Sequence, residues 1–171
     1  MLMKNNKNIF LYLTLIFFSL IQGLVADEFD ISASNIKLLQ DSETIHAEGN
    51  VLIVGQDGII IESESAIYDK KENIIDAKKS VKITDRKTNN ELESDKIQYS
   101  KKEEEILAEG NVFFKGNDGV TIETEIALYD KRNQIIKSDQ LTKVNDAYGN
   151  SILVDMFNYS TKNKNLRSQG N

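Results

Sequence analysis

Ile45-His46-Ala47-Glu48-Gly49-Asn50-Val51-Leu52-Ile53 decides the fold. Its odd positions are apolar or small, while His46, Glu48 and Asn50 are polar. Alternation with period two describes an extended strand with one face buried, because successive side chains of a strand point to opposite faces. The core of this stretch, Ala47-Glu48-Gly49-Asn50-Val51, returns as Ala108-Glu109-Gly110-Asn111-Val112, 61 residues later. At the same shift and without a gap, identities continue from Gly55 on Gly116, through Tyr68 on Tyr129, to Ile75 on Ile136. Self-similarity at a fixed period marks stacked supersecondary units.

The period halves on inspection. Tyr68, Tyr99, Tyr129 and Tyr159 follow one another at 31, 30 and 30 residues, so the unit is about 30 residues long. Within a unit, Gln56-Asp57-Gly58 or Asn117-Asp118-Gly119 separates two apolar runs. Asp-Gly in that setting signals a hairpin, here expected as a type I′ turn. The returning strand, Ile59 to Tyr68, changes its apolar parity from odd to even. A bulge or bend near Ser63 to Ser65 would bring both sets onto one face. Gly49 and Gly110 should mark a bend or a close backbone approach. Polar turns such as Asp69 to Asn73 and Lys101 to Glu105 should line up along one side. After Val25 no stretch sustains a 3.6-residue period. The expectation is all-β, with about nine or ten strands.

The N-terminus reads as a secretory signal. Lys4 and Lys7 precede a nearly unbroken apolar run from Ile9 to Ile21, and Gly23-Leu24-Val25-Ala26 offers a cleavage site. Residues 1–26 are therefore expected to be a signal peptide, with a retained membrane anchor as the alternative. Residues 27–171 form the single domain. Its last unit stops at Ser168-Gln169-Gly170-Asn171, so it either ends on half a unit or belongs to a longer protein. The chain has no Cys, which excludes disulfides and thiolate metal sites. Its net charge of −6 disfavours nucleic acid and polyanionic membrane surfaces.

By parity and repeat symmetry Val51, Ile53, Ile59, Ile61, Val112, Phe114, Val120 and Ile122 point one way. Taken alone, such a face means a packed core. The four tyrosines fit half-buried positions on a pleated surface, with the rim of a groove as the sharper alternative.

The repeated Ala-x-x-Tyr-(polar)-Ile-x-Ala-Glu-Gly-Asn-Val units resemble the organic solvent tolerance (OstA-like) domain shared by lipopolysaccharide-transport proteins of the LptA, LptC and LptD types. The resemblance covers about residues 28 to 171. It implies a twisted, slightly open β-jelly roll whose apolar groove shields the lipid A acyl chains of lipopolysaccharide in the Gram-negative periplasm. On this reading the eight inward residues line the lipid groove. A dozen-carbon acyl chain buried there gains on the order of 10 kcal/mol before ordering costs. The family also implies end-to-end strand pairing with other OstA-like domains, and head-to-tail association of like copies. The edge segments near Ile31 to Leu39 and Ile152 to Tyr159 suit such pairing, having no Pro and sparse charge. An LptA-type bridge or the start of an LptD-type outer-membrane protein fits best; an LptC-type member fits the clean duplication less well. The rival from another class is a structural or adhesive β-solenoid with a dry core.

Nothing points to catalysis, a metal or a cofactor. His46 is the only histidine and lies on the polar face of its strand. No nucleophile elbow, phosphate loop or zinc signature occurs. Asp57 and Asp118 lie in hairpin turns, without the twelve-residue calcium pattern.

Overall fold

Every regular element among the described residues is a strand. The computed structural model describes residues 28–39 and 43–169; the expected signal peptide lies outside them. The strands are β1 (Phe29–Ser32), β2 (Asn35–Leu38), β3 (Thr44–Gly55), β4 (Ile59–Asp69), β5 (Ile74–Asp85), β6 (Asn90–Ser100), β7 (Glu105–Lys115), β8 (Thr121–Asp130), β9 (Ile135–Ser138), β10 (Thr142–Asn145), β11 (Ser151–Val154), β12 (Met156–Ser160) and β13 (Asn165–Gln169). They form one antiparallel sheet in the order β1-β3-β4-β5-β6-β7-β8-β9-β12-β13, with β2 on β3 and β10 between β8 and β11. Several of the thirteen are halves of longer strands broken in the middle. β1 with β2, β9 with β10 and β11 with β12 each run along one neighbour in turn. Counted this way there are nine long strands and the half-strand β13, in agreement with the expected nine or ten.

Each long strand is kinked in the middle, and the repeated Gly-Asn shows why. Gly49 (φ 77°) and Asn50 (φ 50°) are both left-handed, as are Gly110 (77°) with Asn111 (48°), and Lys79 (67°) with Ser80 (52°). At each pair the register shifts, because two residues oppose one on the next strand. Glycine takes this conformation freely, and asparagine tolerates it. Asn111 Nδ2 also donates to Asp95 Oδ2 at 2.7 Å, tying the kink of β7 to that of β6. The return strand answers with its parity switch: Ile59, Ile61 and Ser63 are buried, then Ala66 and Tyr68. The bend expected near Ser63 to Ser65 is thus present, with the extra residue carried by the partner strand.

Gly110 is under a second constraint. A Cβ added there would stand 2.6 Å from Asp95 Oδ2 and 3.0 Å from Asp95 Cβ. Gly110→Ala is expected to cost about 2 kcal/mol, from backbone strain plus this contact. Gly149→Ala, equally left-handed but with nothing within 4 Å, should cost less. Thermal melts of the two variants check the difference, and equal losses would remove the contact from the account.

The hairpin turns differ from expectation. Gly58 N donates to Gly55 O at 3.0 Å, and Gly58 alone in the turn has positive φ, 91°. The loop is therefore three residues, a type I turn closed by a left-handed glycine, and not a two-residue type I′ turn. The 116–119 and 146–149 turns close the same way. The opposite polar turns do line up: Lys101 N reaches Asn73 O at 3.0 Å, Lys131 N reaches Glu104 O at 2.9 Å, and Thr161 N reaches Gln134 O at 2.9 Å.

Candidate functional site: the apolar interior and its seam

An unkinked strand of eleven residues would span roughly 36 Å. Here both ends of the strands meet, because the sheet folds along its line of kinks into two facing walls. Cross-strand rows run the length of each wall. One wall carries Ile31, Ile53, Ile61, Ile83, Leu92, Phe114, Ile122 and Val144 as successive register partners. The other carries Ile45, Tyr68, Ile75, Tyr99, Ile106, Tyr129, Ile136 and Tyr159, isoleucine and tyrosine in turn. Beside the kink lies a row of small residues, Ala47, Ala66, Ala77, then Ala108 and Ala127 beyond Ile97. Small side chains there let the walls approach each other. The result is one continuous apolar interior, roughly 40 Å long across ten strands at the usual spacing.

Seven of the eight residues expected in the groove, Val51, Ile53, Ile59, Ile61, Val112, Phe114 and Ile122, are at most 2 % exposed and share one core cluster. Val120 is half-buried and packs against it. All eight lie on the same half of the folded sheet. The facing wall was missed, although the repeat contains its signal: Ala66, Tyr68 and Ile75 recur as Ala127, Tyr129 and Ile136.

The tyrosines close the roll. Their rings are buried, and three of their hydroxyls reach the opposite row of turns. Tyr99 donates to Asp57 Oδ2, Tyr159 donates to Asp118 Oδ2, and the Tyr129 oxygen accepts from Asn90 Nδ2 at 3.1 Å. Tyr68 instead bonds Asn73 of its own hairpin at 2.9 Å. These contacts join strands two or more places apart because the sheet twists as it rolls.

Asp57 is the centre of the strongest clasp. Its Oδ1 accepts from Ile59 N at 3.3 Å, within its own turn. Its Oδ2 takes Tyr99, Lys131 Nζ at 2.5 Å and Lys101 Nζ at 3.3 Å. Lys131 Nζ also reaches the Tyr99 oxygen at 3.1 Å and lies 5.1 Å from the centre of its ring. Burial by itself would push the Asp57 carboxyl up; the hydrogen bonds from Lys131 and Tyr99 and the charges of Lys131 and Lys101 outweigh it and hold the group well below the usual carboxylate range. Burial and the Asp57 charge push the Tyr99 hydroxyl up, so it remains a donor. Nothing in this cluster offers a nucleophile or a poised base; its geometry is that of a latch. His46 points outward and is half-buried.

Comparisons with known proteins agree with this architecture. Residues 4–112 match the family model described as lipopolysaccharide-assembly, LptC-related. The crystal structure of LptH from Pseudomonas aeruginosa, "the LptA homologous periplasmic component of the conserved lipopolysaccharide transport device", is similar in fold. Its TM-score is 0.60 at 15 % identity, over 75 % of this chain and 96 % of that one. At that identity the likeness concerns the fold, and the fold is the expected twisted β-jelly roll. No curated protein matches the chain by sequence.

Proposed function

We propose a function from one premise: the chain belongs to the lipopolysaccharide-assembly, LptC-related family. It is a non-enzymatic carrier or bridge in the Gram-negative periplasm, and its interior shields the acyl chains of lipid A on their way to the outer membrane. The observation that carries this reading is the continuous apolar interior that runs from Phe29 on β1 across the sheet to Tyr159 on β12. Its one buried carboxylate among the described residues, Asp85, lies at the end of β5 and accepts from Lys87 N and Thr88 N of its own turn. The residues that take the lipid are Val51, Ile53, Ile59, Ile61, Val112, Phe114, Val120 and Ile122, with Ile75, Ile97, Ile106 and Ile136 facing them. An acyl chain reaches them when the two walls part along the seam. Transfer between molecules then needs only that neighbouring interiors be continuous.

The two ends of the sheet support such continuity. Among the described residues β1 and β2 pair only with β3, β11 pairs only with β10, and β13 pairs only with β12. Ile36 and Leu38 on β2, and Ile152 and Leu153 on β11, leave large apolar side chains in solvent. Edge strands of this kind accept another strand. The partners on this reading are other OstA-like domains of the LptC, LptA and LptD types, or a second copy joined head to tail.

A photo-crosslinking residue at Ile61 or Val112, introduced in cells that make lipopolysaccharide, is expected to yield lipopolysaccharide adducts on irradiation. Adducts confined to the protein itself would reject the carrier and favour a dry structural or adhesive β-solenoid, a reading to which the dense burial of these side chains also lends itself.

A further inference from the structure

We propose that the outer face of the roll carries a separate binding site for a single-chain anionic amphiphile. The site is a cleft of about 540 Å³ over β7, β8, β9, β12 and β13. Leu107, Leu128, Lys137, Asn158 and Arg167 are successive register partners across these five strands. They alternate in sequence with the buried Ile106, Tyr129, Ile136 and Phe157 and the half-buried Leu166, so they point away from the interior described above. The row is apolar at one end and cationic at the other. Ile126, 40 % exposed, widens the apolar end, and Met156, 46 % exposed, adds apolar surface two residues before Asn158 on β12. Across the middle of the roll the same outer row is polar: Asp76 and Gln98 face each other and bond at 3.1 Å.

The charges argue for the occupant. Within the described residues some lysines of the outer face are matched to carboxylates, as Lys96 is to Glu109 at 2.5 Å and Lys143 to Glu123 at 3.0 Å, and others, such as Lys78 and Lys115, are not. Among the described residues Lys137 and Arg167 make no ion pair within 4 Å, in a chain of net charge −6. Two carboxylates lie close in sequence. Asp139, which lines the cleft, accepts from Gln140 Nε2 at 3.1 Å; Asp130, whose carboxylate feels the Lys137 charge, accepts from Asn133 Nδ2 at 2.7 Å. Asn158 stands between the two cations, one strand spacing of about 4.8 Å from each. A phosphate or carboxylate head resting on Asn158 meets both cations, and its tail lies over Leu128 and Leu107 out of water. A neutral head leaves both charges unanswered.

The test is titration calorimetry of the full chain with dodecyl phosphate, dodecanoate and dodecyl maltoside, each below its micelle concentration. The anionic pair should bind at least tenfold more tightly than the neutral maltoside. Lys137→Glu with Arg167→Glu should cut dodecyl phosphate affinity by tenfold or more. Both positions are exposed, so circular dichroism should be unchanged. Equal affinity for all three amphiphiles, binding unaffected by the double substitution, or no binding at all would overturn the proposal. Dodecyl phosphate alone binding would narrow the head to phosphate, and both anions binding would keep the class as stated. Lipopolysaccharide adducts at Ile61 should survive the double substitution, so this site and the interior carrier stand or fall separately.

Discussion

Asp57→Ala is expected to destabilise the roll by about 3 kcal/mol, the usual cost of leaving a largely buried cation without its partner. Lys131, with 9 % of its side chain exposed, would lose its 2.5 Å carboxylate, and the Tyr99 hydroxyl would lose its acceptor. Removing both charges, as in Asp57→Ala with Lys131→Met, should recover much of the loss because no lone charge stays behind. Denaturant melts of the two single variants and the double variant measure the coupling; strict additivity would mean that the clasp is not a unit. The same group sets an acid limit. The folded carboxyl sits below its ordinary value of 3.8, so its contribution is complete above pH 3.8 and is lost as pH falls below it. Tyr99 sets the opposite limit: its hydroxyl is raised above 10.0, so its contribution is complete below pH 10.0 and is lost as pH rises further. Asp57→Asn should flatten the acid side of the stability profile and leave the rest of its shape in place.

Phe114→Ala is expected to cost about 4 kcal/mol, the middle of the range for a buried aromatic. The ring is fully buried, lies 5.7 Å from that of Tyr129, and sits between Leu92 and Ile122 in its cross-strand row. It therefore joins the two walls, and collapse of the cavity would have to move both. Phe114→Leu should lose much less, because most of the volume remains. Urea midpoints separate these outcomes. If alanine costs no more than leucine, the walls close over the gap and the interior is more pliable than its burial implies.

Much of the fold was legible in residues 45–68. Alternation gave the strand, the Ile59 to Tyr68 parity switch gave the bend, and the recurrence of Ala-Glu-Gly-Asn-Val gave the stacking. The two-residue turn expected from Asp-Gly is a three-residue loop here, because Asp-Gly is compatible with both and Gln56 joins Asp57 and Gly58 in the turn. The groove was half legible. Parity assigns Val51 and Phe114 to one face, but it does not say that the sheet folds along Gly49, Lys79 and Gly110 and brings Ile75 and Ile106 opposite. Lys79-Ser80 takes the kink without glycine or asparagine, so nothing local marks it. The duplication pointed to an LptA or LptD type rather than an LptC type, whereas the matching family model is the LptC-related one; the duplication therefore does not separate the member types.

By itself the sequence determined what period and parity can encode: strands, bends, an apolar face, stacked units and the family. Those properties arise between residues a few positions apart, and identical units give identical answers. The tertiary structure decided what depends on twist, which accumulates over many strands and has no local signature. It brought Asp57 to Lys131, 74 residues away, turned three of the spaced tyrosines into the closure of a seam, and aligned Lys137 with Arg167 on the outside of the roll.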